Sequence, residues 1–218
     1  MSVFKNSRSA LIAGAVAATA LFSAGSANAV LLNSWTNITN NVGTNIGSQL
    51  GVDVTDAGSG RVQFHVTNNV GIASVIAQIY FDDKSTSSLG SFFSLTGSTG
   101  VAFSVGANPS NVPSGSTINF DADFATGANN PAPQNGINTA SEYLDIVFNL
   151  AAGKTFNDLL TQIGSGELVL GMHVTGIAGG SSDSYINTPP TTQVPEPATL
   201  ALLGMGLIGL GVIRRRKA

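Results

Sequence analysis

Carboxylates are the main chemical resource of this chain, and two pairs of them stand close enough in sequence to act together. Asp121 and Asp123 fall in Ile118–Phe124, where Ile118, Phe120 and Phe124 alternate with Asn119, Asp121 and Asp123. That alternation predicts a strand with both carboxylates on one face, roughly 7 Å apart. Such a pair suits a calcium ion shared with a loop carbonyl, or two acids flanking a glycosidic bond. Asp82-Asp83, at the end of the apolar run Ile72–Phe81, forms the second pair. Neither pair fits the D-x-[DN]-x-[DN]-G calcium loop, and solvated acids that keep a strand edge from pairing are the simpler explanation.

The other chemical groups are sparse. His65 and His173 each occupy the polar side of an alternating segment, and the chain has no cysteine. A structural zinc site takes about four N or S ligands, so these two histidines read as exposed strand residues, with no metal and no cofactor implied. No G-x-S-x-G is present and thiols are absent, so no catalytic residue is assigned and the chain is expected not to be an enzyme. Asn37-Ile38-Thr39 has the form of a glycosylation sequon. Trp35 and Tyr80 can stack on sugars if exposed, although packing in a core or at an edge is the commoner fate of single aromatics.

The elements that must position these groups are short strands. Val62, Phe64 and Val66 alternate with Arg61, Gln63, His65 and Thr67, the pattern of a half-buried strand. Ile72–Phe81 predicts a more central strand, and Phe92–Leu95, Val101–Val105 and Tyr143–Leu150 predict others. Asn33–Gln49 reads as irregular chain or edge strand, and 125–136, with its Pro, Asn and Gly, as a surface loop. The period then changes: Phe156, Leu159, Leu160 and Ile163 share one helical face, with Thr155 placed to cap it and Gly164 to end it. Leu168, Leu170, Met172 and Val174 predict a last strand, with Gly179-Gly180 opening the run-out. The expected fold is all-β, an antiparallel β-sandwich with one short helix.

Both ends of the chain carry a different pattern. Lys5 and Arg8 precede an apolar run from Ala10 to about Phe22 and then Ala27-Asn28-Ala29, an A-x-A signal-cleavage site that predicts a mature start at Val30. At the other end, Val194-Pro195-Glu196-Pro197 leads into the uncharged run Ala198–Ile213 and then Arg214, Arg215, Arg216 and Lys217. As a helix that run rises about 24 Å, near the ~30 Å of a hydrocarbon core, and terminal arginines can snorkel to make up the difference. A buried core helix of that length is the alternative. Cations at both ends point to one side of the membrane and place everything between on the other. Gly204, Gly206 and Gly209 match the G-x-G-x-x-G dinucleotide fingerprint in letters only, because no strand precedes them and no acid follows about 20 residues on.

The expected organisation is a signal peptide at 1–29, an exported β-sandwich domain at 30–187, a Pro/Thr linker at 188–194 and a sorting and transmembrane segment at 195–218. Between leader and tail stand three cations, Arg61, Lys84 and Lys154, against eleven acids. So few cations cannot neutralise phosphates, which excludes nucleic acid as a partner.

The tail resembles the PEP-CTERM sorting signal of Gram-negative bacteria that secrete exopolysaccharide, on its Val194-Pro195-Glu196-Pro197 motif, its glycine-rich apolar helix and its arginine cluster. The resemblance implies an exosortase-type membrane protease as partner, transient membrane anchoring, and delivery to the cell surface or extracellular matrix, with exopolysaccharide as a further partner. The expected role is structural or adhesive. A carbohydrate- or ice-binding module is the alternative, supported by the Ser-, Thr- and Asn-rich exported region; similar tails also end some proteins described as ice-binding.

Overall fold

The computed structural model describes residues 29–84 and 87–188. Among these residues eleven strands form two antiparallel sheets. In chain order they are β1 (Ala29–Leu32), β2 (Trp35–Asn37), β3 (Leu50–Gly58), β4 (Arg61–Asn68), β5 (Val75–Asp83), β6 (Leu89–Gly97), β7 (Phe103–Val105), β8 (Phe124–Ala128), β9 (Tyr143–Leu150), β10 (Leu168–Ile177) and β11 (Ser181–Asn187). Two helices, α1 (Ala132–Asn135) and α2 (Phe156–Ser165), lie in the connections. One sheet has the order β1-β3-β4-β9-β6 and the other β2-β11-β10-β5-β8-β7.

The sheets pack face to face through the alternating apolar residues. Val62, Phe64 and Val66 of β4 are fully buried, as are Ile79 and Phe81 of β5 and Leu170, Met172 and Val174 of β10. Phe64 of one sheet meets Phe81 of the other edge to face at 4.9 Å, and Phe148 joins them. Such T-shaped contacts add to the area they bury. The antiparallel sandwich expected from periodicity is therefore present.

α2 carries the chain from the five-stranded to the six-stranded sheet. Thr155 caps it: its Oγ1 accepts from the Asp158 N–H at 3.2 Å, and the Asp158 carboxylate accepts from the Thr155 N–H at 2.7 Å. This reciprocal pair satisfies two helix-end donors. Phe156, Leu159 and Ile163 are buried beneath it. The helix ends at Gly166, with φ +77°, and not at Gly164, which lies inside it. Only the later glycine adopts the left-handed conformation that closes a helix.

Three further expectations are corrected. Ile118–Phe124 is not a strand: a 3-10 turn occupies Gly115–Ile118, Asn119 turns back at φ +56°, and only Phe124 enters β8. Phe120 instead folds over the outer face of the six-stranded sheet, where it packs with Tyr80 and Val112 in a second small core. Gly171 makes room for it, since a Cβ there would sit 3.1 Å from Phe120 Cζ. Residues 125–136 are not simply a surface loop, because β8 pairs β5 from Phe124 to Gly127 and β7 on its other side. Lastly, β10 is not the last strand. After Gly179-Gly180 the chain returns as β11, seated between β10 and β2.

Candidate functional site

The Asp121–Asp123 segment and Asp82-Asp83 come together although about forty residues separate them. The Asp83 N–H donates to Asp123 Oδ2 at 2.8 Å, and the Asp121 N–H donates to Asp82 Oδ2 at 3.2 Å. Asp82 is buried, with Lys84 Nζ 3.8 Å away. Burial pushes its carboxyl above the ordinary carboxylate range; the Asp121 hydrogen bond and Lys84 pull the other way, and the Asp123 and Asp121 charges add to the rise. Asp83 Oδ2 accepts from Ser87 Oγ and the Leu89 N–H. Asp121 and Asp123 therefore do not share a strand face as expected. They lie in the run-in to β8, and Asp82, Asp83 and Asp123 accept hydrogen bonds that brace the ends of β5, β6 and β8. Among the described residues no three His, Asp or Glu side chains are grouped to hold a metal ion.

The histidines lie on the outer faces of opposite sheets. His65 stands in the cross-strand row Asp53–His65–Asp145 of the five-stranded sheet. Its Nδ1 donates to Asp145 Oδ1 at 2.6 Å, and Gln63 Nε2 donates to the same oxygen at 3.0 Å. Tyr143 packs against the imidazole at 4.8 Å. A glycosidase pair of Asp145 with Asp121 or Asp123 is not formed either: Asp145 lies on the outer face of the five-stranded sheet, whereas Asp121 and Asp123 lie in the run-in to β8 of the other sheet. His173, on β10, bonds through Nδ1 to Gln78 Oε1. Burial lowers its pKa and the nearby Asp183 charge raises it, with burial prevailing.

Asp183 gathers four hydrogen bonds. It accepts from the Asn41 N–H at 2.6 Å, Thr39 Oγ1 at 2.8 Å, Asn37 Nδ2 at 3.1 Å and the Val42 N–H at 3.4 Å. Burial alone would raise its carboxyl, but the hydrogen bonds, that of Asn41 first, outweigh it and hold the pKa below the ordinary range. Asn37 of the sequon is thus tied into the fold. Trp35 and Tyr80 are buried too, so neither offers a stacking face.

A feature without any sequence motif lies beside the second core. An open groove of about 510 Å³ on the six-stranded sheet is lined by Gln78, Ser104, Asn108, Gly127, Asn129 and Asn130, among others. Ser104 Oγ donates to Asn129 Oδ1 at 2.7 Å. Among the described residues Asn108 and Asn130 have no side-chain hydrogen-bond partner, nor have Gln78 Nε2 and Asn129 Nδ2.

Of the residues expected to direct export, Ala29 opens β1, exposed and opposite Thr55 of β3. Ala27, Val194–Pro197 and Arg214–Lys217 lie outside the described residues, as do the expected signal and transmembrane helices. No helix among the described residues is long and apolar enough to cross a membrane. For the tail the decisive observation comes from comparison with protein families: the PEP-CTERM protein-sorting motif matches residues 193–217. The chain carries a PEP-CTERM sorting motif. That motif indicates exosortase-dependent sorting to the cell surface or extracellular space, which agrees with a membrane protease as partner. No curated protein and no solved structure matches the chain.

Proposed function

We propose that the β-sandwich is a structural or adhesive module, not an enzyme, that works at the cell surface or in the extracellular matrix after its tail has been processed. The observation that carries this reading is the PEP-CTERM match at 193–217, directly after a domain whose last described residue is still docked. Thr188 donates from its N–H to the Ser34 carbonyl at 2.9 Å, so the chain is still anchored to the sandwich at the residue before Pro189-Pro190. In this reading Pro195, Glu196 and Pro197 are read by the protease, and Arg214, Arg215, Arg216 and Lys217 hold the tail's end on the cytoplasmic side during transit. The engagement of Asp82, Asp83 and Asp123 in bracing strand ends supports a non-catalytic role.

The test is the mass and location of the mature protein from the producing cells. The native chain should lose both its leader and its tail, while Pro195→Ala, Glu196→Ala and Pro197→Ala together should leave the tail attached and the protein in the membrane fraction. Processing and delivery unchanged by those substitutions would overturn the reading.

Between the two binding alternatives, the surface favours carbohydrate over ice. Thr55, Thr67 and Thr96 face Gln63, Tyr143 and Asp145 across the strands, so they form no repeating threonine row. The amide-lined groove supplies hydrogen-bonding groups of the kind sugars use.

A further inference from the structure

We infer that the groove between β5, β7 and β8 binds a neutral glycan chain, and this rests on the adhesive reading while naming what is adhered to. Three observations converge. First, its polar lining is amide and hydroxyl: Gln78, Asn108, Asn129, Asn130 and Ser104, with no charged residue among the lining side chains. An amide presents donors and an acceptor side by side, which matches adjacent sugar hydroxyls, and it gives up its water at less cost than a charge would. Second, these groups are not spent on the fold. Asn108 and Asn130 are exposed without internal side-chain partners, and His173 holds Gln78 through Oε1 alone, leaving Nε2 unbonded. The Ser104 bond likewise occupies the oxygen of Asn129 and leaves its nitrogen free. Third, the floor is kept low by Gly127, where an added Cβ would lie 3.4 Å from the Gly106 carbonyl and 3.6 Å from Gln78 Cγ. An open, shallow floor admits a chain that runs on beyond the site.

The groove has no aromatic residue among its lining side chains, so one site gains hydrogen bonds without ring stacking. Binding of that kind is weak singly and becomes firm when many copies meet one polymer. The absence of Lys and Arg from the lining argues against anionic polymers as occupants.

The experiment is affinity electrophoresis of the mature protein through gels containing dextran, glucomannan or the neutral polysaccharide fraction shed by the producing cells. Alginate serves as the anionic control, and light scattering monitors self-association. Retardation is expected with at least one neutral polymer and not with alginate. Asn108→Ala with Asn130→Ala should weaken it about tenfold or more, from two lost hydrogen bonds. Gly127→Val, which raises the floor, should weaken it as well. The two Asn substitutions should leave the melting temperature unchanged, since those side chains hold nothing in place. No retardation by any neutral polymer, or equal retardation of the Asn variant, overturns the inference, as does concentration-dependent self-association abolished by the same substitutions. If the native protein still adheres to cells in those cases, the adhesive reading stands without the groove; if it adheres to nothing, both fall.

Discussion

Asp183→Ala is expected to be the most damaging single change among the polar residues of the domain. The native carboxylate, 1% exposed, gathers four donors from the segment Asn37–Val42 and fastens that segment to β11. Truncation removes the acceptor and strands the Asn41 and Val42 N–H groups, while Asn37 and Thr39 have side chains that can turn to water or to each other. At about 1.5–3 kcal/mol for a hydrogen bond to a charged group, loss of the part-buried Asn41 bond and the longer Val42 bond brings the total to roughly 3 kcal/mol. For a domain of this size that is a fall in Tm of about 6–12 °C. Asp183→Asn should cost less, because one oxygen remains to accept while the new NH2 group faces donors. The pH dependence follows from the lowered native pKa. A carboxylate held below its unfolded value of about 3.9 contributes fully above that pH and loses its contribution as pH falls through the folded pKa. The stability gap between the native protein and Asp183→Asn should thus be constant from about pH 8 to 5, narrow below about 4, and close once the native group is protonated. Thermal unfolding across this range measures the gap, and hydrogen exchange at the Asn41 amide reports on the segment itself. An Asp183→Ala protein melting within about 2 °C of native, with Asn41 equally protected, would refute the argument.

Other expectations follow from the same geometry. Gly171→Val should displace Phe120 and destabilise by about 1–3 kcal/mol, read as a lower urea midpoint, and Tyr80→Phe should cost about 1 kcal/mol through loss of its bond to the Pro109 carbonyl. A Gly171→Val protein as stable as native would mean that Phe120 does not pack there. At the end of α2 the two glycines should respond in opposite ways. Gly166→Ala should destabilise by about 1 kcal/mol because of its positive φ, whereas Gly164→Ala, with open space around it, should be neutral or stabilising by up to about 1 kcal/mol. Thr155→Ala should cost about 1 kcal/mol by removing the cap, measured by chemical denaturation.

Legibility in the sequence followed how local each feature's cause was. Strands β4 and β9 could be drawn from their residues because Val62, Phe64, Val66 and Leu144, Ile146, Phe148 alternate without interruption and every one of them is buried. The helix α2 announced itself through its change of period and its Thr155 cap. The strand at β11 stayed hidden because its buried positions are Asp183, Ser184, Tyr185 and Asn187, polar or half-polar residues that fit inside through distant partners. Asn187, for example, is satisfied by the Leu170 N–H, and Asp183 by a segment more than 140 residues earlier. β8 was missed for a related reason, since Ala-Thr-Gly-Ala has little apolar pattern and Thr126 is buried by bonding to the Ser104 carbonyl.

The candidate sites divide along the same line. The sorting tail is a linear signal, a proline-bracketed acid, an apolar run and a block of cations, so the order of residues alone determines it. The alternation around Ile118 pointed to a strand that does not form, because Asn119 turns the backbone and Phe120 finds a better-packed place against Tyr80 and Gly171. Only the tertiary structure decided that Asp82 and Asp83 would meet Asp121 and Asp123, or that three asparagines and a glutamine from separate segments would rim one groove. The reason is physical: a sequence fixes which groups a segment offers, while the pairing of strands far apart in the chain fixes which offers meet.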